Sequence, residues 1–174
     1  MTVLSKKEWS MVLRQSGQMP EMDLKWLIEM ASGVSSWTEV GVFAGRSALA
    51  VGLALPVGSL LQLVDIYFQP KFKEVIGYLI EARPKLTVTI LRDKSADAAN
   101  VLPDTDVVFI DDDHSYEGVK ASVSAWENKC RILCGHDHPR DRHWPPHDGV
   151  RQAVDELCNN IGPVEGSGLW LRVP

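Results

Sequence analysis

At 174 residues the chain fits one domain and can bury a core without disulfide or metal staples. Hydrophobic residues make up 45% and charged residues 24%, as in an ordinary soluble globular protein, and a net charge of −5 leaves no basic footprint for nucleic acid. The apolar run "SALAVGLALPVGSLLQLV" is broken by Gly and Pro short of a membrane span, "MTVLSKKEWS" lacks the core of a signal peptide, and the three cysteines (Cys130, Cys134, Cys158) have no C-x-x-C spacing, so reduced thiols in a cytoplasmic protein are expected.

Two helical patterns open the chain, at 5–15 and 20–32, the second with Met22, Trp26, Ile28 and Met30 near helical spacing. Strand-like and helical runs then alternate. "WTEVGVFA" (37–44) reads as a strand, and "RSALAVGLAL" (46–55) as a helix closed by Pro56. "SLLQLVDI" (59–66) is a strand, and 70–83 a helix with Pro70 in its first turn. A strand at 86–91, a short helix at 95–102 and a strand at 106–111 follow. Residues 115–128 form a helix with Val119, Val123 and Trp126 on one face; 131–135 is a strand and 148–160 the last long helix. The tail, "GPVEGSGLWLRVP", reads as two short strands joined at Gly166, Ser167 and Gly168.

Strands nearly continuous in Val, Ile and Leu, alternating with helices, predict an α/β protein: a Rossmann-like, doubly wound parallel sheet covered on both faces. Residues 1–33 would form N-terminal helices and 34–174 the core of one domain. Such sheets bind ligands beyond the carboxyl ends of their strands, at the switch in strand order. That rule brings "EVGVFAGRS", "VDIY", "IDDDH" and "GHD" to one rim.

In "EVGVFAGRS" (39–47), Gly41 and Gly45 bend strand into helix and allow a ligand close to the backbone. The same glycines would serve a turn with no ligand. Phe43 stands where G-x-G-x-x-G needs its second glycine, which argues against a dinucleotide, and a carboxylate at Glu39 suits a ligand bearing a cation. Asp65 ends the next strand, where a carboxylate accepts the ribose hydroxyls of a nucleoside, although an aspartate there also serves as a turn residue. Lys94 and Ser95 lie where an adenine edge would rest; Ser95 is equally a helix cap. "FIDDDHSYEGV" (109–119) sets three carboxylates beside an imidazole. Like charges side by side cost energy unless a metal ion, a cationic ligand or solvent relieves them. Asp112 and Asp113 read as turn and helix-cap residues bonded to backbone N–H groups, and the bland alternative for the whole cluster is a solvated cap.

On these residues the chain resembles a class I S-adenosylmethionine-dependent methyltransferase, with "EVGVFAGRS" as the glycine motif and Asp65 as the ribose acid. "FIDDDHSYEGVKASVSAW", "GHD" and "GVRQAVDEL" narrow the resemblance to the family-24 methyltransferase domain, similar to metal-dependent macrolide-sugar O-methyltransferases. The resemblance covers residues 35–174 and implies a seven-stranded sheet with a reversed last strand. It implies S-adenosylmethionine on Glu39, Gly41, Phe43, Gly45, Ser47, Asp65, Lys94, Ser95 and Asp111. It also implies a divalent metal (Mg²⁺ or Mn²⁺) on Asp111, His136 and Asp137, with His114 as general base and Asp111 assisting catalysis. His136 departs from the usual acid, which shifts preference toward Mn²⁺ or another transition ion. The Pro-Gly-Gly that often precedes the fifth strand is also missing.

A cation lowers the pKa of a bound alcohol, and a nearby imidazole removes its proton as the oxygen attacks the sulfonium methyl. The expected activity is methyl transfer to a hydroxyl of a small molecule. The rival readings are metal-independent transfer and a cofactor-binding module without turnover; the broken glycine motif disfavours a nicotinamide oxidoreductase. The loop at 135–149, with His136, His138, His143 and His147, would cover the strand ends, and Trp144 would cover substrate or pack the loop down. Its histidine spacing matches no standard zinc pattern. Homo-oligomerisation and the identity of the acceptor stay open.

Overall fold

The computed structural model describes residues 4–138, 148–158, 161–164 and 167–172. The "PRDRHWPPH" stretch, with His143, Trp144 and His147, lies outside the described residues, as does Gly166 of the tail turn.

Helix α1 (Lys6–Arg14) starts at a capping box: the Ser5 hydroxyl accepts the Glu8 N–H, and the Glu8 carboxylate accepts the Ser5 N–H at 2.8 Å. Helix α2 (Glu21–Ala31) buries a different stripe from the one its apolar spacing suggests. Leu24, Leu27 and Ala31 face the core together with Asp23, whereas Met22 is exposed. The acid is drawn inward because it has partners there, described below.

The strands and helices then follow in strict alternation: β1 (Ser36–Val40), α3 (Arg46–Ala54), β2 (Leu60–Asp65), α4 (Phe72–Ala82), β3 (Thr87–Arg92), α5 (Ser95–Val101), β4 (Thr105–Ile110), α6 (Tyr116–Trp126), β5 (Cys130–Gly135) and α7 (Asp148–Leu157). Two short strands close the chain, β6 (Ile161–Pro163) and β7 (Trp170–Arg172). Strand β1 stops at Val40 rather than Ala44, because Gly41 (φ 87°) and Phe43 (φ 52°) turn the backbone left-handed. The sheet order is β3-β2-β1-β4-β5-β7-β6. Strands β1 to β5 pair in parallel, and β7 runs antiparallel to both β5 and β6. This is the doubly wound, seven-stranded sheet with a reversed last strand.

Each face carries its own core. Helices α1 to α4 pack Val12, Leu24, Leu27, Leu49, Leu53 and Leu79 against Trp37, Leu61 and Phe109. On the other face Val119, Val123, Trp126 and Val154 cover Val40, Val108 and Ile110. Cys130, Cys134 and Cys158 are free thiols, and burial pushes Cys130 and Cys158 up to about 11, so they are held as thiols at neutral pH. Among the described residues no helix is long and apolar enough to cross a membrane.

The register sets the rim. Val40 pairs with Val64 on one side and Ile110 on the other, and Ile110 pairs with Gly135. Beyond these strand ends the ladder continues for one residue: Asp111 N–H donates to the Val40 carbonyl at 2.7 Å, and His136 N–H to the Ile110 carbonyl at 3.1 Å. Gly41, Asp111 and His136 therefore leave the sheet side by side. The strand order reverses between β1 and β4, where open α/β sheets hold their ligands.

Candidate active site

The glycine turn is held from two sides. A Cβ on Gly41 would collide with the Asp111 backbone carbonyl, so only glycine allows the ends of β1 and β4 to close this tightly. Asp65, the last residue of β2, accepts the backbone N–H groups of Val42 (2.7 Å) and Phe43 (2.8 Å) on Oδ2 and that of Tyr67 (2.9 Å) on Oδ1. Fixing those N–H groups holds Phe43 in its left-handed conformation, which a non-glycine residue adopts only when its surroundings impose it. The Phe43 ring is left 54% exposed on the rim. Gly45 is the N-cap residue of α3.

Glu39 and Ser47 lie beneath this turn. Glu39 is 0% exposed, and its Oε1 accepts the Ser47 hydroxyl at 2.7 Å. Its Oε2 has no hydrogen-bond partner among the described residues. Burial pushes Glu39 up to about 8, with further upward pressure from Asp111 and Asp65 and a partial offset from Ser47. At that value the neutral acid predominates over the carboxylate at pH 7.

After β3, Lys94 is the N-cap residue of α5 and makes no side-chain cap bond. Ser95 does not cap the helix: its hydroxyl accepts the indole N–H of buried Trp126 at 3.0 Å, tying α5 to α6. The aspartate run meets the expectation in part: Asp113 bonds a backbone N–H as read from the sequence, whereas Asp112 goes to a side chain. Asp112 accepts the Ser122 hydroxyl at 2.6 Å, and burial pushes it up to about 6. Asp113 accepts the Ser115 N–H at 2.8 Å, while Ser115 itself caps α6 by accepting the Gly118 N–H at 3.1 Å. A serine was available one residue before the helix, so neither aspartate is needed as the cap.

Asp111, His136 and Asp137 converge. Each offers one ligand atom, and all three atoms lie within 4.8 Å of one another. His136 Nδ1 is 3.1 Å from Asp137 Oδ1 and 4.0 Å from Asp111 Oδ1. Atoms bound at about 2.1 Å to one octahedral ion stand roughly 3–4 Å apart, so the set is compact enough to hold a cation after small side-chain rotations. Asp137 sits at φ 60°. Among the described residues Phe43 and Asp137 are the non-glycine residues with positive φ, and both stand on this rim.

His114 reaches the same carboxylates. Its Nε2 is 2.7 Å from Asp137 Oδ2 and 3.8 Å from Asp111 Oδ1. The neighbouring carboxylates of Asp111 and Asp137 push His114 up to about 10, outweighing burial. At His136 burial works to lower the value, but hydrogen bonds to Asp137 and Asp23 overcome it and hold the imidazole up at about 10. Asp111 is pushed up by burial, against the opposing pull of His114 and His136. Two imidazoliums therefore supply positive charge among these carboxylates, and a divalent ion would have to displace protons to enter.

Sequence reading missed Asp23, buried in α2, whose Oδ2 lies 2.9 Å from His136 Nε2. The available signal was an acid at the head of the stripe Asp23, Leu27, Ala31, where a charge is costly without a partner. It also missed that His138 is fixed by Asp155 of α7 at 2.8 Å rather than turned toward the cluster.

Comparison with known proteins bears on the fold and the family. The chain aligns with 99% coverage to an O-methyltransferase from Bacillus cereus solved in complex with SAH (15% identity, 93% of that chain, TM-score 0.68). The O-methyltransferase TomG from Streptomyces achromogenes, in complex with SAM, matches over 100% of this chain and 93% of its own (14% identity, TM-score 0.67). The SAH-bound methyltransferase PaMTH1 of Podospora anserina matches over 97% and 86% (13% identity, TM-score 0.65). At these identities the likeness is one of fold. A search of curated protein sequences gives no significant match. The sequence model of family 24, described as "Methyltransferase domain", matches residues 38–137, more than half of the chain, from within β1 to Asp137. The chain belongs to this methyltransferase domain family.

Proposed function

We propose that this methyltransferase moves the methyl group of S-adenosylmethionine to a hydroxyl of a small molecule, with a divalent cation held by Asp111, His136 and Asp137. The observation that carries this reading is the convergence of those three donors with His114, one strand away from the glycine turn. The SAH and SAM in the structural neighbours support the cofactor, and the O-methyltransferase activity named for those neighbours supports an oxygen acceptor.

In this reading the turn at 41–45 and Asp65, whose carboxylate sets the backbone of that turn, would hold the nucleoside. Phe43, Lys94 and Ser95 border the same end of the sheet. The acceptor oxygen sits between the cofactor and His114. Its electron pair forms the new C–O bond as the C–S bond breaks; sulfur keeps that pair as a thioether, and the hydroxyl proton passes to the neutral imidazole of His114. Asp111, His136 and Asp137 would hold the cation, which would lend acidity to the hydroxyl and favour neutral His114 over its imidazolium.

A second reading has its own support. The two imidazoliums already neutralise much of the carboxylate charge, which is what a metal-free site would need. Calorimetry of the full chain with S-adenosylhomocysteine, with and without Mn²⁺, tests the primary reading; binding of both is expected. Tighter binding of NAD than of S-adenosylhomocysteine would overturn the methyltransferase chemistry proposed here.

A further inference from the structure

Asp23 is a charged residue in an apolar place. It is 0% exposed, set among Leu24, Leu27 and Ala31 on the buried side of α2, outside every motif of the rim. Burying a carboxylate costs several kcal/mol unless close partners compensate it. Its Oδ2 meets two: the His136 ring at 2.9 Å from Nε2, and the Gly168 N–H at 3.3 Å. Gly168 is shaped for this contact. A Cβ there would stand 3.2 Å from His136 Nε2 and 3.5 Å from Asp23 Oδ2, so a side chain would press into the pair. Three separate elements, α2, the exit of β5 and the turn before β7, thus meet on one imidazole edge.

The opposite edge of that ring faces the cluster. Nδ1 is 3.1 Å from Asp137 Oδ1 and 4.0 Å from Asp111 Oδ1. Both ring nitrogens thus face carboxylates; with a cation shared by Asp111 and Asp137 the Nδ1 edge would give up its proton, while Nε2, donating to buried Asp23, would keep its own and leave the lone pair on Nδ1. Outer carboxylates orient metal-binding histidines in this way. We propose that Asp23 is a positioning residue for the metal site, fixing the ring of His136 with Nε2–H toward α2 and Nδ1 toward the space shared by Asp111 and Asp137. The inference rests on the metal-assisted reading above. It makes the N-terminal helix part of the site: a histidine in place of the usual acid needs its tautomer fixed, and Asp23 does so.

Two measurements on the full chain test it. With ¹⁵N-labelled histidine and Cd²⁺ as the probe, long-range proton–nitrogen NMR should show His136 bound through Nδ1 and protonated on Nε2. In parallel, Mn²⁺ calorimetry should show Asp23→Ala weakened about 10- to 100-fold. Asp23→Asn, whose amide oxygen still accepts Nε2–H, should lose less. Cd²⁺ bound through Nε2, or a folded Asp23→Ala with wild-type Mn²⁺ affinity, would overturn the proposal and leave the metal reading standing. A wild-type chain that takes up neither ion would remove the metal reading, and this inference with it. Should Asp23→Ala fail to fold, the Cd²⁺ spectrum of the wild type and the Asn variant decide.

Discussion

The Asp65 carboxylate lies 2.8 Å from the backbone nitrogen of Phe43, and through this bond the end of β2 shapes the turn that follows β1. The residue read from sequence as a ribose ligand is therefore also a support of the glycine turn. Because its oxygens already serve three N–H groups, its replacement disturbs the turn whatever the carboxylate does for a cofactor. Asp65→Ala is expected to weaken S-adenosylhomocysteine by ~1–3 kcal/mol, the range for hydrogen bonds to a charged group, and to lower the melting temperature without ligand. Calorimetry and a thermal melt on one preparation check both. Unchanged affinity would take Asp65 off the cofactor site and leave it as a turn residue.

Glu39 gives a pH signature. Its folded-state value of about 8 lies above the ordinary carboxylate range, so between about pH 4.5 and 8 the folded chain holds a proton that the unfolded chain has lost. Stability from this group is full below that window and falls as pH rises through it. Glu39→Gln keeps the shape and an acceptor for Ser47 but cannot ionise. Its melting temperature should match the wild type near pH 4.5 and exceed it increasingly toward pH 8.5, by a stability difference on the order of a few kcal/mol. Subtracting the two melting curves cancels every other titration. Parallel curves would show that Glu39 is ionised in the folded state.

Metal removal separates the two readings of the cluster. Under the metal-assisted reading, treating the chain with a chelator abolishes methyl transfer while S-adenosylhomocysteine affinity changes by less than about twofold, since the ion serves the acceptor. Mn²⁺ should restore activity better than Mg²⁺, because one of the three donors is an imidazole. Full turnover after chelation would favour the site neutralised by His114 and His136 alone.

The alternation of apolar strands and helices made the sheet legible, because strands buried on both faces carry continuous Val, Ile and Leu. The rim was legible for the same reason: each polar cluster follows a strand, and parallel strands end together. The local assignments that failed depend on contacts between distant segments. Strand β1 ends early because Asp65, more than twenty residues on, holds the turn; α2 turns Asp23 inward because His136 and Gly168 wait there. Charge states were equally hidden. "IDDDH" shows carboxylates and an imidazole, but only the fold reveals that Asp112 goes to Ser122 while His114 goes to Asp137.

His114 carries the final prediction. Its Nε2 sits 2.7 Å from Asp137, and the paired carboxylates push it up to about 10, which favours the imidazolium. A general base must give up that proton before it can accept one from the acceptor, so its role depends on what else occupies Asp111 and Asp137. If it is the base, His114→Ala lowers turnover by roughly 10²–10⁴ and leaves S-adenosylhomocysteine affinity near the wild type. If it only ties the loop before α6 to Asp137, the same substitution lowers the melting temperature while each folded molecule keeps its activity. Turnover per folded molecule, measured on the preparation used for the melt, distinguishes the two. His114→Gln refines the result: glutamine can still donate a hydrogen bond to Asp137 but cannot accept a proton and carry it as a cation. Restored stability without restored turnover is the outcome expected of a base, and restored turnover would remove His114 from the chemistry.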